Sequence, residues 1–124
     1  MISVNQALEI HGILIEKFGG KPGVRDFDLL ESALFRPYNT FDSKDLYPNT
    51  IEKAAAIAES IIRNHPFIDG NKRVGYTLMR LTLLLDGSDI ETDENSKYEF
   101  VISIAEGKIS FDEIRSWIES NLKK

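Results

Sequence analysis

Residues 50–87, TIEKAAAIAESIIRNHPFIDGNKRVGYTLMRLTLLLDG, contain two helix-forming segments separated by one short loop. Thr50 opens the first segment, whose apolar residues recur at helical spacing. These residues are Ile51, Ala54, Ala55, Ala58, Ile61 and Ile62. The second segment, 72–86, is apolar on nearly every side of its later turns, which is typical of a helix in the middle of a bundle. The stretch therefore predicts two central helices joined by a loop.

The rest of the chain also favours helices. Capping boxes are expected at Ser3–Gln6 and Ser110–Glu113, and Asp26 is suited to cap a further helix. No segment shows the clean alternation of a half-buried strand. We therefore predict an all-α fold, a compact single-domain bundle of about six helices over residues 1–124. Residues 36–48, RPYNTFDSKDLYP, are expected to form a short irregular flap.

Composition excludes several classes of protein. The 124 residues are 42% hydrophobic and 28% charged, as in ordinary globular domains. A net charge of -5 argues against a general nucleic-acid binder. The chain has no cysteine and no visible signal peptide. Its longest apolar run, Leu81–Leu85, is far too short to span a membrane and is expected to lie in the core. We expect a cytoplasmic protein without nucleic-acid or membrane partners.

The loop NHPFIDGNKRVG, residues 64–75, concentrates chemically active side chains between the two central helices. If the second helix begins near Asn71, residues 68–72 present free backbone N–H groups, which attract anions. Lys72 and Arg73 add donors and positive charge. Gly70 would let a phosphate approach the backbone without a Cβ in the way. The loop therefore predicts a phosphate-binding site.

The same loop carries groups for transfer chemistry. Asp69 is suited to bind Mg²⁺, which prefers one or two carboxylates together with phosphate oxygens. His65 carries an imidazole, the side chain suited to take a proton from a hydroxyl at neutral pH. Asn71 can orient a phosphate or the leaving oxygen, and Phe67 is expected to anchor the loop in the core. Together these groups fit transfer of a phosphate-containing group.

The motif HPFIDGNKR, residues 65–73, resembles the signature of the Fic/Doc superfamily, and its Asn-Lys-Arg ending resembles the death-on-curing, or Doc, toxin branch. The N-terminal GGKPGVRD segment and the all-helical plan are similar too. The resemblance implies a Fic/Doc-like (Fido) domain. The site residues that it implies are His65 as catalytic base, Asp69 as Mg²⁺ ligand, Asn71, Lys72 and Arg73 as phosphate contacts, and Arg63 as an assisting phosphate contact.

The resemblance also implies a biological role. Doc proteins are toxins of toxin–antitoxin pairs that act as protein kinases on the translation machinery, with elongation factor Tu as the known type of target. It implies ATP and Mg²⁺ as cofactors and a Ser or Thr hydroxyl as acceptor. A small antitoxin of the Phd type is expected to bind across the active-site groove.

Two departures from the Fic pattern bear on the activity. AMP-transferring Fic enzymes resemble this chain except that they carry Gly at the position of Lys72 and a second Arg at the position of Tyr76. The self-inhibitory motif of many Fic proteins is missing, since SIAEG, Ser103–Gly107, is one residue short of it. Within the resemblance, the difference at Lys72 and Tyr76 favours transfer of the γ-phosphoryl group over AMP transfer. AMP transfer and a catalytically silent nucleotide- or partner-binding module stay open as alternatives.

Several other residues have a simpler interpretation. His11 lies in an apolar stripe and is expected to be packed and hydrogen-bonded. Arg25 and Asp26 are expected to supply a loop-ordering ion pair and a helix cap, with a role at the rim of the active site as the alternative. Arg80 is expected to be a surface charge, and residues 89–94 a solvated loop. The flap aromatics, Tyr38, Phe41 and Tyr47, are open between packing on the core and docking a target.

Overall fold

Six helices and one small hairpin form the fold, in a computed structural model that describes residues 1–124. The helices are α1 (Val4–Phe18), α2 (Phe27–Phe35), α3 (Thr50–Asn64), α4 (Asn71–Leu84), α5 (Glu94–Ala105) and α6 (Phe111–Ser120). The all-α prediction is confirmed. The flap is less irregular than expected, because it holds a 3-10 turn, Arg36–Tyr38, and an antiparallel pair of two-residue strands, β1 (Thr40–Phe41) and β2 (Lys44–Asp45).

Local capping interactions fix the ends of the helices. The Ser3 hydroxyl accepts from the Gln6 N–H at 3.1 Å, and the Gln6 side chain accepts from the Ser3 N–H at 2.9 Å. The second capping box, Ser110–Glu113, has the same two bonds at 3.2 and 3.0 Å. Asp26 caps α2 through the Leu29 N–H at 3.1 Å. The predicted caps are therefore confirmed.

Helices α3 and α4 form the centre of the molecule, as predicted. Helix α3 packs against α2, α4, α5 and α6, and eight of its residues are buried. One cluster of 23 buried residues draws side chains from all six helices. The expectation that the whole run Leu81–Leu85 is core was wrong, because Leu84 is 49% exposed and Leu85 67% exposed. Leu84 ends α4 and Leu85 begins the following turn, so the core-facing side of the helix stops at Leu83.

The two central helices approach each other closely at Gly75. A Cβ at this position would lie 2.5 Å from Cγ1 of Ile62 and 3.3 Å from Cγ2 of Ile61, and both isoleucines are fully buried. We expect Gly75→Ala to lower the free energy of unfolding by about 1–3 kcal/mol, because overpacking outweighs the better helix propensity of alanine. Urea unfolding followed by circular dichroism measures this change.

Gly12 supplies the matched control, since it lies within α1 and no atom comes within 4 Å of its added Cβ. Gly12→Ala is expected to stabilise the protein by up to about 1 kcal/mol through helix propensity alone. Equal effects of the two substitutions would show that the contact between α3 and α4 is not tight at Gly75.

Two charged networks were not anticipated. Arg80 forms a two-point pair with the Asp89 carboxylate, at 2.9 and 2.8 Å, and this pair lowers the pKa of Asp89 to about 2. The interpretations of Arg80 as a simple surface charge and of residues 89–94 as a purely solvated loop were therefore wrong. Glu59 forms ion pairs with Arg36 at 2.9 Å and with Arg63 at 2.6 Å.

No helix has both the length and the apolar character needed to cross a bilayer.

Candidate active site

The candidate site is built on the loop between α3 and α4, which begins at His65. His65 caps the C-terminus of α3 in the left-handed conformation, with φ 52° and ψ 59°. For a residue with a side chain this conformation costs roughly 1–2 kcal/mol, so the surrounding structure must maintain it. The turn also ends the buried stripe of α3, and His65 is exposed rather than packed in the core.

Residues 23–26, which we call the strap, hold this loop. The Arg25 guanidinium donates from Nε to the His65 carbonyl at 2.6 Å and from a terminal nitrogen to the Asn64 carbonyl at 2.7 Å. The backbone N–H groups of Arg25 and Asp26 both donate to the Pro66 carbonyl, at 2.7 and 3.0 Å. The expected ion pair between Arg25 and Asp26 is absent, because the guanidinium binds backbone carbonyls instead.

The middle of the loop is anchored from within. Phe67 is fully buried, as predicted. The Asn71 side chain bonds the backbone of Phe67 twice, accepting from its N–H at 2.9 Å and donating to its carbonyl at 3.0 Å. The Asn71 amide therefore shapes the loop, and its contact with a phosphate or leaving oxygen stays a prediction.

His11 supports the loop from beneath, and its predicted role as a packed, hydrogen-bonded histidine is confirmed. It is 4% exposed and stacks on the Phe67 ring with 4.0 Å between the centroids and 8° between the planes. Its Nε2 lies 2.9 Å from the Asp69 carbonyl. Because a carbonyl only accepts, this nitrogen carries the proton in the hydrogen bond.

Three backbone N–H groups at the start of α4, those of Asn71, Lys72 and Arg73, have no acceptor within the protein. We call them the amide nest. The sequence predicted residues 68–72, but the Ile68 N–H donates to the Gly23 carbonyl and the Gly70 N–H to Asp69 Oδ1. Free N–H groups at a helix N-terminus, together with the helix dipole, favour an anion there.

Gly70 precedes the amide nest, and its position has a packing reason that the sequence did not suggest. Its φ is 77°, and an added Cβ would lie 3.2 Å from Cδ1 of Ile15 and 3.7 Å from Nε2 of His11. The missing side chain therefore makes room for α1 and permits the left-handed turn. Gly70 also lines the cavity described below, and its predicted role in letting a phosphate approach stays a prediction.

Asp69 presents an ionised carboxylate beside the amide nest. Its Oδ2 accepts from the Lys21 N–H at 3.1 Å and its Oδ1 from the Gly70 N–H at 2.9 Å. These two bonds, the Lys21 bond first, lower the pKa of Asp69. No three acidic or histidine side chains are grouped as a metal cage. A single carboxylate beside an anion site fits Mg²⁺ shared with phosphate oxygens, which is the usual donor set for this ion.

A cavity of about 390 Å³ opens beside the amide nest. Asp69 to Arg73 line one side, and α5 supplies the opposite wall. Such a volume is within the range of small-molecule sites. The remaining lining residues are Tyr76 and Thr77 of α4 and, from α5, Glu94, Lys97, Tyr98, Val101 and Ile102. Sequence reasoning missed this wall, because polar side chains on a helix ordinarily indicate a solvated face.

Lys72 and Arg73 are exposed and line the cavity, so two of the predicted cations accompany the amide nest. The Arg73 guanidinium carbon lies 4.2 Å from the centroid of the Phe18 ring. This contact orients Arg73 from α1, the helix that also carries His11. Two cations and a helix N-terminus at one end of the cavity make that end attractive to a polyphosphate.

Arg63 does not line this cavity, and its phosphate contact stays a prediction. Its Nε donates to the Ile104 carbonyl at 3.1 Å, one terminal nitrogen pairs with Glu59 at 2.6 Å, and the other bonds the Ile109 carbonyl. Arg63 therefore joins α3 to the C-terminal end of α5 and to the turn that follows it. His65 lies outside the cavity lining as well, at the exposed end of the loop.

Comparison with known proteins extends this description. A profile described as the Fic/DOC family matches residues 1–83. The curated protein "Toxin Doc" of Mycolicibacterium smegmatis is 41% identical over 76 residues, which cover 61% of this chain and 58% of that toxin. The alignment thus spans somewhat more than half of that toxin. The profile includes the strap, the loop and most of α4, but it ends before α5.

Proposed function

Because this chain belongs to the Fic/DOC family, we propose that it is a Doc-like toxin that transfers the γ-phosphoryl group of ATP to a protein hydroxyl. We treat residues 1–124 as one Fic/Doc-like domain for this activity. The observation that carries the proposal is the amide nest, which lies with Lys72, Arg73 and the Asp69 carboxylate on one 390 Å³ cavity. Phosphoryl transfer depends mostly on positioning and charge stabilisation, and these groups supply both.

Each residue then has a defined task. The three free N–H groups and the side chains of Lys72 and Arg73 hold the phosphate oxygens. Asp69 is the carboxylate that would hold Mg²⁺, and the ion would supply positive charge against the charge that develops in such reactions. His65 accepts the proton of the attacking hydroxyl as the bond from oxygen to phosphorus forms, and ADP leaves. Asn71 contributes its backbone N–H, while its side chain keeps the loop in shape.

Two features favour the γ-phosphoryl group over AMP as the transferred unit. Lys72 places an ammonium at the start of α4, where a glycine would leave the phosphates further from a charge. Tyr76 lines the cavity one turn later and is 6% exposed, with Lys97 Nζ 4.9 Å from its ring centroid. At position 76, α4 therefore offers no second guanidinium to bind the α-phosphate.

The partners follow from the similarity to a protein named Toxin Doc. We propose a Ser or Thr of a translation factor, of the elongation factor Tu type, as acceptor, and growth arrest as the outcome. We propose a small Phd-like antitoxin that covers the groove, which accords with the missing self-inhibitory motif. Action on a translation factor would occur in the cytoplasm, and neither nucleic acid nor a membrane takes part.

The position of the label in ATP tests the reaction. Protein, magnesium and a bacterial lysate are incubated with ATP labelled at either the γ- or the α-phosphate, and proteins are separated and counted. We expect γ-label, and no α-label, on one acceptor protein. Transfer of α-label would overturn phosphoryl transfer in favour of AMP transfer. Nucleotide binding by calorimetry without transfer of either label would favour a silent binding module.

A further inference from the structure

We propose that Arg25 is a positioning residue that holds the catalytic imidazole of His65 in place through the backbone. The inference rests on the proposed role of His65. It starts from one exposed arginine side chain that binds two carbonyls at the end of α3. One belongs to Asn64, the last helical residue, and the other to His65, the C-cap residue in the left-handed conformation. Arg25 can hold His65 in this way without touching a phosphate or the acceptor itself.

The geometry of the guanidinium suits the end of α3. The last carbonyls of a helix lack N–H partners and carry partial negative charge. Arg25 reaches two of them at once, His65 at 2.6 Å and Asn64 at 2.7 Å, and such short charge-assisted bonds are among the strong ones. A planar fork fixes the angle between the two carbonyls, which a single ammonium does not.

The bonds act where the backbone needs support. A histidine at φ 52° returns to a more common conformation unless its neighbours prevent it. Rotation of the His65 backbone would move the imidazole relative to the amide nest. Arg25 opposes that rotation from the carbonyl side, while the His65 N–H is held by the Ile61 carbonyl at 3.3 Å. Hydrogen bonds therefore hold both the N–H and the carbonyl group of His65.

The strap also bonds the loop through its backbone, so the guanidinium can be removed without releasing the loop. The N–H groups of residues 25 and 26 hold the Pro66 carbonyl, and the Gly23 carbonyl accepts from Ile68 at 3.0 Å. These bonds survive substitution of the Arg25 side chain. A variant therefore isolates the effect of the guanidinium on His65 from the general docking of the strap.

The test compares Arg25→Ala and Arg25→Lys with Arg115→Ala, a control whose arginine pairs only with Asp112 and Glu119 of its own helix. We expect Arg25→Ala to lower kcat for phosphoryl transfer roughly 100-fold, as small displacements of a reacting group can. The Kd for ATP and the KM for the acceptor are expected to stay within about twofold, because the nest is untouched. The kcat of Arg25→Lys is expected to lie between those of Arg25→Ala and the Arg115→Ala control. Millimolar ethylguanidinium is expected to restore part of the activity of Arg25→Ala.

A structural readout keeps the inference separate from the proposed function. In the unsubstituted protein, a strong intraresidue NOE between the amide and α protons of His65 marks its positive φ, and we expect this NOE to weaken in Arg25→Ala. An unchanged NOE would overturn the inference whether or not the protein transfers phosphate. Full kcat in Arg25→Ala, or a loss confined to the KM for the acceptor, would overturn it as well. Failure of the unsubstituted protein to transfer label would instead count against the proposed function alone.

Discussion

Replacing His65 with alanine is expected to lower the rate of phosphoryl transfer by roughly 10²–10⁴-fold and to remove toxicity when the gene is expressed in a bacterium. The physical reason is that no other imidazole is free near the loop, since His11 is stacked on Phe67 and bonded to the Asp69 carbonyl. The initial rate of γ-label transfer to the acceptor measures the first effect, and colony counts after induction measure the second.

His65→Gly separates chemistry from stability. Glycine adopts the left-handed conformation of this position at no steric cost, so we expect the protein to unfold at an equal or higher urea concentration and to be just as inactive. Comparing His65→Gly with the unsubstituted protein would then show that activity is lost while the fold stays intact. Persistent toxicity in either variant would contradict the assignment of His65 as the base.

Replacing Asp69 with asparagine is expected to reduce magnesium-dependent transfer at least ~100-fold, because metal-ion charge stabilisation is worth several kcal/mol. Asparagine keeps the size of the side chain and one oxygen for the N–H donors of Lys21 and Gly70. The low pKa of Asp69 keeps the carboxylate charged at neutral pH, so the substitution removes a full negative charge. Transfer rates over a magnesium titration measure the effect.

A second measurement tests how Asp69→Asn binds ATP in the absence of metal. Removing a carboxylate beside the amide nest relieves repulsion of the phosphates, so calorimetry in EDTA is expected to show ATP binding that is as tight as in the unsubstituted protein or tighter. Asp112→Asn is the control, since this exposed acid pairs only with Arg115 at 3.9 Å. A magnesium dependence of Asp69→Asn equal to that of the unsubstituted protein would show that the metal lies elsewhere.

Much of the fold was predictable because its signals are local. Capping boxes act over three residues, and the apolar stripes of α1 and α3 follow a fixed helical period. The hairpin in the flap was missed because strands of two residues are too short to show alternation. Leu84 and Leu85 were misassigned because an apolar run does not reveal where the helices that cover it end.

The site was predictable in its residue types and less so in their roles. Asn71 looks like a phosphate ligand in sequence, and only the folded loop shows that its amide is occupied by Phe67. Lys21 and Arg25 lie 48 and 39–40 residues from their partners in the loop, a distance over which a single sequence carries no pairing signal. For Arg63 a signal did exist, since Glu59 precedes it by four residues and such pairs are favoured on a helix.

The wall supplied by α5 has a consequence for selective inhibition. The family profile reaches residue 83, whereas Glu94, Lys97 and Tyr98 line the cavity from beyond it. A compound held only by the amide nest would contact only the segment that the family profile matches. A compound that also reaches Tyr98, which is 68% exposed, would depend on residues outside the segment that the family profile matches.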